Sequence, residues 1–353
     1  MVAAQGELTT DPIGIDIDAV TGWLLARVDW LAAPLRWIRL PGGHSNFTYR
    51  VEDAAGHAFV LRRPPLGELL PSAHDMGREW KLISALWPTA VPVPEPVAYC
   101  DDESVTGARF FAMGFVEGRP LYSIEDTEEH LDVAARGRTG DSFMRTLAAL
   151  HALDPDEIGL GDLGKRDSYV GRQLKRWYQS WNASKTTENP DVDRLSTWLV
   201  ERLPEQGRVS VVHGDYGLHN CRIAADGTVA AVVDWEISTL GDPLADLAYA
   251  LNAWLHPGEP TAREVAGPTQ APGFGTRDEL IATYEEASGT SLSEIEYYRA
   301  FNHWKTACIV QGVYARYLQG QKDGVTGEEL EEMPRRIAHA VDLAVDAART
   351  LGY

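Results

Sequence analysis

Residues 211–236, VVHGDYGLHNCRIAADGTVAAVVDWE, leave this chain little freedom in how it folds. Val211-Val212 runs into His213-Gly214-Asp215, and the apolar run 229–233 runs into Asp234. Between them AADG at 224–227 is turn chemistry, so 221–233 is predicted to form a β-hairpin. A hairpin brings the end of its second strand back beside the start of its first, which sets Asp234 next to Asn220. Two carboxylates and an amide therefore converge inside a region whose remaining periodicity is helical, and no other strand signal is visible beyond residue 117.

The first third of the chain reads differently. An amphipathic helix with acidic residues in its first turn is expected over 16–28. β-like runs follow at 36–40, 46–53 and 57–63, joined by PGGHS and AAG. A proline-rich loop with Pro64, Pro65 and Pro71 leads to a helix near 75–86, and VPVPEPVAYC and RFFAMGFV give two more extended segments. EGRP at 117–120 reads as a linker, because helices are expected after it, near 140–152, 167–184, 190–203, 278–288, 292–319 and 334–350. The expected fold is α+β and bilobal, with a small β-rich lobe over 1–116, a larger mainly helical lobe over 117–353, and a cleft between them. A length of 353 residues suits two lobes better than one small core.

Charge narrows the partners. Fifty-two acidic against 32 basic residues give a net charge of −20, which argues against nucleic acid and anionic membrane. Cys100, Cys221 and Cys308 are dispersed and odd in number, which suits neither a disulfide framework nor a zinc cluster. No apolar run approaches the roughly 18 residues of a membrane span, and the acidic N-terminus is unlike a signal peptide, so the cytoplasm is the expected location. GLGDLG at 159–164 imitates a phosphate loop, but it follows a helix end instead of a strand and reads as a glycine-rich connection. His213, Asp215 and His219 lack the further nitrogen or sulfur donors that zinc favours.

One amide and one or two carboxylates suit Mg²⁺, which keeps waters and phosphate oxygens as its other ligands. Phosphoryl transfer from ATP needs a carboxylate near the acceptor hydroxyl, oxygen ligands for Mg²⁺ and positive charge on the phosphates. Asp215-x-x-x-x-Asn220 has the base-to-amide spacing of the protein-kinase catalytic loop, and Asp234 ends the hairpin as that pattern's second aspartate does. Asp215 is thus the expected base, with Asn220 and Asp234 as Mg²⁺ ligands. The glycine turn LPGGHSNF, with Gly43, Ser45 and Asn46, can close over phosphates. AFVLRR lacks the usual lysine, so Arg62 or Arg63 must replace it. Strand alternation places Arg62 on Val60's face and favours it, with Glu79 on the following helix as its partner. His213 is expected as scaffold, Asp242 as a helix cap and Asp246 as a loop brace.

HGDYGLHN with VVDWE resembles the aminoglycoside phosphotransferase family, also called choline/aminoglycoside kinase-like, within the protein-kinase-like fold. The likeness extends through FVLRR, REWKLISAL, FFAMGFVEGRP and VVDWEISTLGDPLADLAY. RRPPLGELLPSAHDMGRE is similar to the subgroup of kinase-like domains fused to acyl-CoA dehydrogenases. The resemblance implies the roles of Asp215, Asn220 and Asp234 given above, and AMGFVEG, with Met113 and Phe115, as an adenine-binding hinge. It implies an ATP- and Mg²⁺-dependent transfer to a small-molecule hydroxyl. A hydroxylated metabolite, such as a hydroxyacyl thioester, and an aminoglycoside both stay open as acceptors. Arginine in place of lysine also leaves a weak or inactive nucleotide-binding protein as the rival.

Overall fold

The computed structural model describes residues 7–40, 46–67, 75–260, 266–320 and 325–353. Gly43 and Ser45 of the glycine turn lie outside these residues. The described chain opens with a six-stranded sheet of order β1-β2-β3-β4-β6-β5, formed by β1 (Glu7–Thr9), β2 (Arg36–Arg39), β3 (Phe47–Glu52), β4 (Ala58–Arg63), β5 (Pro96–Cys100) and β6 (Phe110–Gly114). Every pairing is antiparallel. β1 is too short to show alternation in the sequence.

Two helices cover this sheet, and alternation decides what each one meets. α1 (Ile17–Leu25) starts at Asp16, whose carboxylate accepts the Ala19 N–H at 3.0 Å. α2 (Met76–Leu86) starts in the same way at Asp75, which accepts from Arg78 at 3.1 Å. Each such cap contributes about 1 kcal/mol. Phe59 and Leu61 of β4 pack with Val20 and Leu24 of α1. Val60, on the opposite face, packs with Met76, Leu82 and Ile83 of α2 in a cluster that continues into the rest of the molecule. Arg62 therefore projects toward α2.

The remainder is mainly helical: α3 (Ile124–His130), α4 (Val133–Ala152), α5 (Tyr169–Ser184), α6 (Pro190–Glu201), α7 (Pro243–Ala253), α8 (Arg277–Ser288), α9 (Ile295–Leu318) and α10 (Gly327–Arg349). Inserted among these helices are β7 (Ser210–Val212), the hairpin of β8 (Cys221–Ile223) and β9 (Val229–Val232), and β10 (Thr239–Gly241). The antiparallel sheet followed by a helical part is the expected α+β arrangement. β10, which pairs antiparallel with β7, carried no usable sequence signal. α10 begins well before Pro334, at a capping box of Thr326 and Glu329, so the proline lies inside the helix instead of starting it. No helix among the described residues is long and apolar enough to cross a membrane.

EGRP does not run free between the two parts. Arg119 and Ile223 exchange both backbone hydrogen bonds, at 2.9 and 3.0 Å, which pins the connection to β8. Gly118 permits this approach. Its φ is +123°, and a Cβ there would lie 2.7 Å from the Ile223 carbonyl oxygen.

Candidate active site

The loop after β7 is held from behind by α7. Asp242 caps that helix by accepting the Leu244 N–H at 3.0 Å, with Pro243 in the first turn. One turn on, the buried Asp246 carboxylate accepts the backbone N–H groups of His213 at 2.6 Å and Gly214 at 2.8 Å. His151 of α4 closes on the same carboxylate at 3.3 Å. Burial would raise the Asp246 pKa, but His151, His213 and the Gly214 N–H overcome that and hold it below the usual range. His213 is fully buried, with Nε2 3.0 Å from the Val233 carbonyl, so it ties the loop to the end of the hairpin. These three residues act as the sequence suggested: cap, brace and scaffold.

Asp215 emerges from this support with both oxygens engaged. Tyr249, three residues beyond Asp246 on α7, donates its hydroxyl to Oδ1. Asn220 Nδ2 donates to Oδ2 and to the Asp215 carbonyl, each at 3.0 Å, and His219 Nε2 lies 3.4 Å from Oδ2. Burial pushes the Asp215 pKa up, but the His219 contact and charge, the Tyr249 hydrogen bond and His213 bring it down to about 2. The group is a carboxylate at neutral pH. With Nδ2 committed to Asp215, Asn220 keeps Oδ1 for another partner.

The hairpin closes as expected: the Val233 N–H donates to the Asn220 carbonyl at 2.9 Å, so Asp234 follows directly beside Asn220. Asp234 has φ +67°, a left-handed conformation that a non-glycine residue adopts at a cost of order 1 kcal/mol. The buried Trp235 behind it donates Nε1 to the Val232 carbonyl at 3.1 Å. On the sheet side Arg62 is buried and forked between two carboxylates, with Nη1 3.3 Å from Glu79 Oε1 and Nη2 3.2 Å from Asp234 Oδ1. Arg63 faces the other way and donates to the carbonyls of Pro64, Gly14 and Thr106. The alternation argument thus picks out the arginine that reaches the cluster. Asn46, also buried, donates to Glu236 Oε2 at 3.2 Å.

Charge at this junction is unbalanced. Glu79, Asp234 and Glu236 all act on Arg62, whose guanidinium pKa they raise against the opposing effect of burial. Burial lifts the Glu79 pKa to about 7 despite Arg62, and the charges of Asp234 and Glu236 add to the rise. Among the described residues neither Glu79 oxygen makes a hydrogen bond of ordinary geometry, although the Trp235 backbone works against the rise. Asp234 and the Asn220 amide oxygen, beside further carboxylates around one arginine, are oxygen donors of the kind that could hold a hard divalent cation.

Met113 lies on β6 opposite Val60, two residues from Arg62 on the same face of the neighbouring strand. The Phe115 ring lies between Arg50 at 4.3 Å and Arg222 at 5.9 Å, where the sheet gives way to β8. Sequence reasoning missed Tyr249 entirely and weighed His219 only as a metal ligand. The tyrosine could have been found by helical spacing, since 246 and 249 share one face of α7. A cavity of about 160 Å³ lined by His151, Asp242, Tyr284 and Tyr298 lies behind the loop, and Asp215, Asn220, Asp234 and Arg62 take no part in it.

The profile of the family described as "Phosphotransferase enzyme family" matches residues 36–285. Acyl-CoA dehydrogenase family member 11 of Gallus gallus is 35% identical over 84% of this chain, and family member 10 of Mus musculus is 33% identical over 91%. The matched segments make up only 38% and 30% of those proteins. Among solved structures, a candidate aminoglycoside phosphotransferase from Ralstonia eutropha is 31% identical, with a TM-score of 0.81 over 95% of this chain and 98% of its own. The fold is therefore the protein-kinase-like one of the aminoglycoside phosphotransferases.

Proposed function

The chain belongs to the phosphotransferase enzyme family, and from that premise we propose that it transfers the γ-phosphoryl group of ATP, with Mg²⁺, to a hydroxyl of a small molecule. The observation that carries this reading is the convergence of Asp215, Asn220 and Asp234, joined by the Asn220–Asp215 hydrogen bonds and the Val233–Asn220 backbone bond. In this reading Asp215 orients the hydroxyl and takes its proton as the new O–P bond forms and the bond to the ADP oxygen breaks. Asn220 and Asp234 would hold Mg²⁺, which supplies charge neutralisation on the phosphates. Arg62, kept in place by Glu79, supplies fixed positive charge beside them. Met113 and Phe115 border the adenine, and Asn46, with Gly43 and Ser45, serves the phosphate-covering turn. The part before residue 117 carries the nucleotide and the part after it carries the acceptor. Similarity to the acyl-CoA dehydrogenase relatives favours a hydroxylated metabolite, a hydroxyacyl thioester included, over an aminoglycoside.

A second reading has one observation in its favour. Arg62 stands where the family's usual lysine would, and it is already paired with Asp234, an arrangement that suits nucleotide binding without turnover. Calorimetric titration of ATP, with and without Mg²⁺, tests the nucleotide site directly. Asp234→Ala is expected to abolish the Mg²⁺-dependent part of the affinity and Asn220→Ala to weaken it. Affinity indifferent to both changes and to EDTA would contradict the assignment. Tight ATP–Mg²⁺ binding with no phosphate passed to any hydroxyl would favour the second reading.

A further inference from the structure

α9 crosses behind the candidate site, packed against α5, α7 and α10. One stripe of it faces the start of α7: Tyr298 donates to Asp242 Oδ2 at 2.8 Å, and Asn302 Nδ2 donates to the Ala245 carbonyl at 2.7 Å. Lys305 is the next residue along that stripe, three beyond Asn302. It is partly buried, yet it forms no hydrogen bond or ion pair with any described residue. The charged groups that act on it are Asp246, Asp215 and Arg176. Both carboxylates already hold other donors, Asp215 those of Tyr249, Asn220 and His219, and Asp246 those of His151 and two backbone N–H groups. Burial holds the Lys305 ammonium below its usual pKa, Asp246 and Asp215 oppose this, and Arg176 adds to it.

Arg176 lies on α5 with its guanidinium over the Trp177 ring, exposed and without a carboxylate. Lys305 and Arg176 thus both lack an ion pair among the described residues, in a chain of net charge −20. Of the neighbouring arginines, Arg166 pairs with Asp156, and Arg172 lies near Asp167 and donates to the Lys165 carbonyl. In the reading above the Arg62 cluster provides for the nucleotide and the helical part for the acceptor, and Lys305 on α9 belongs to the helical part. A partly desolvated ammonium without a contact partner is costly unless a ligand supplies the anion.

We infer that Lys305, assisted by Arg176, selects an acceptor that carries an anionic group next to the hydroxyl presented to Asp215. The inference rests on the phosphotransferase reading above and narrows its acceptor. The anion is a carboxylate on a free hydroxy acid, because the phosphates of a coenzyme A thioester lie a pantetheine arm away from the acyl hydroxyl and cannot sit beside it.

The test compares hydroxycarboxylic acids, their primary amides and hydroxyacyl-coenzyme A thioesters in the wild type, Lys305→Gln, Lys305→Arg and Arg176→Gln. Binding is measured by equilibrium dialysis in the presence of ADP and Mg²⁺, and turnover is measured separately. The wild type is expected to prefer anionic acceptors over amides by roughly ten- to a hundredfold, the worth of one hydrogen bond to a charged group. Lys305→Gln should erase that preference while leaving ATP affinity unchanged, and Lys305→Arg should keep part of it. Should Lys305→Gln fail to fold, Lys305→Arg and Arg176→Gln still decide, since each should shrink the preference.

Thioester binding that falls in Lys305→Gln as far as acid binding does would overturn the placement of the lysine beside the hydroxyl. Equal binding of acids and amides, or a Lys305→Gln loss shared by all acceptors, would overturn the inference and mark the lysine as a structural counter-charge. Selective, Lys305-dependent anion binding without phosphate transfer would uphold it while defeating the phosphotransferase reading. Transfer to charged and neutral acceptors alike would do the reverse.

Discussion

Arg62 and Arg63 are adjacent, chemically identical and buried, yet their surroundings have nothing in common. Period-2 alternation alone separates them, because Val60's face of β4 turns toward α2 and the other face turns toward α1. Arg62→Ala is therefore expected to raise the ATP concentration needed for half-maximal rate well above that of Arg63→Ala, with Arg62→Lys intermediate. A larger effect from Arg63→Ala would place the phosphate contact on the wrong side of the strand. Tyr249 permits a finer test. Tyr249→Phe removes one donor from Asp215 and is expected to cost about 1 kcal/mol, near fivefold, in kcat with no change in the KM for ATP. A rise in that KM would mean that Tyr249 acts on the nucleotide side. The carboxylates and the amide were legible because their chemistry fixes their spacing. Tyr249 was not, because helix packing brings it to Asp215 from 34 residues away.

Helix α7 is the rack on which the loop is strung, through Asp246 and Tyr249 on one face. Asp246→Ala would strand the His213 and Gly214 N–H groups at about 1–3 kcal/mol each, so a large drop in melting temperature is expected. The pH dependence has a definite sign. The folded pKa of Asp246 is depressed, so its stabilising contribution is complete above the unfolded value of about 3.9 and disappears as pH falls through the folded value. Asp246→Asn should therefore melt lower than the wild type at pH 7, with the gap narrowing in acid. A gap that widens on acidification would show that the carboxylate's charge does not stabilise the fold. Long elements such as α5 and α9 were readable from periodicity, and the hairpin from its turn. β1 and β10 were not, since three-residue strands carry no period, and Pro334 masked the earlier capping box of α10.

The sheet and the helical part share one apolar core and meet through specific polar groups, among them Arg62 with Asp234, Asn46 with Glu236, Arg78 with the Leu163 and Ser238 carbonyls, and the Arg119–Ile223 bridge. Gly118 makes that bridge possible, so Gly118→Val is expected to lower stability and to impair any motion of one part over the other. An unchanged melting curve would contradict the close approach to Ile223. The α+β class was legible because strand signals crowd the first third of the sequence and helical ones the rest. The acceptor was not, because the helical part around Asp215 is assembled by packing and leaves no motif. Whether the molecule is a phosphotransferase at all turns on Asp215. Incubation of the wild type and Asp215→Asn with ATP, Mg²⁺ and a pool of hydroxylated small molecules, followed by mass analysis, should reveal one phosphorylated product. Its rate of formation should fall by about 10²–10⁴ in the variant, the usual worth of a positioned base, while ATP binds both proteins alike. Equal product from both proteins, or an Asp215→Asn protein that no longer binds ATP, would contradict the account.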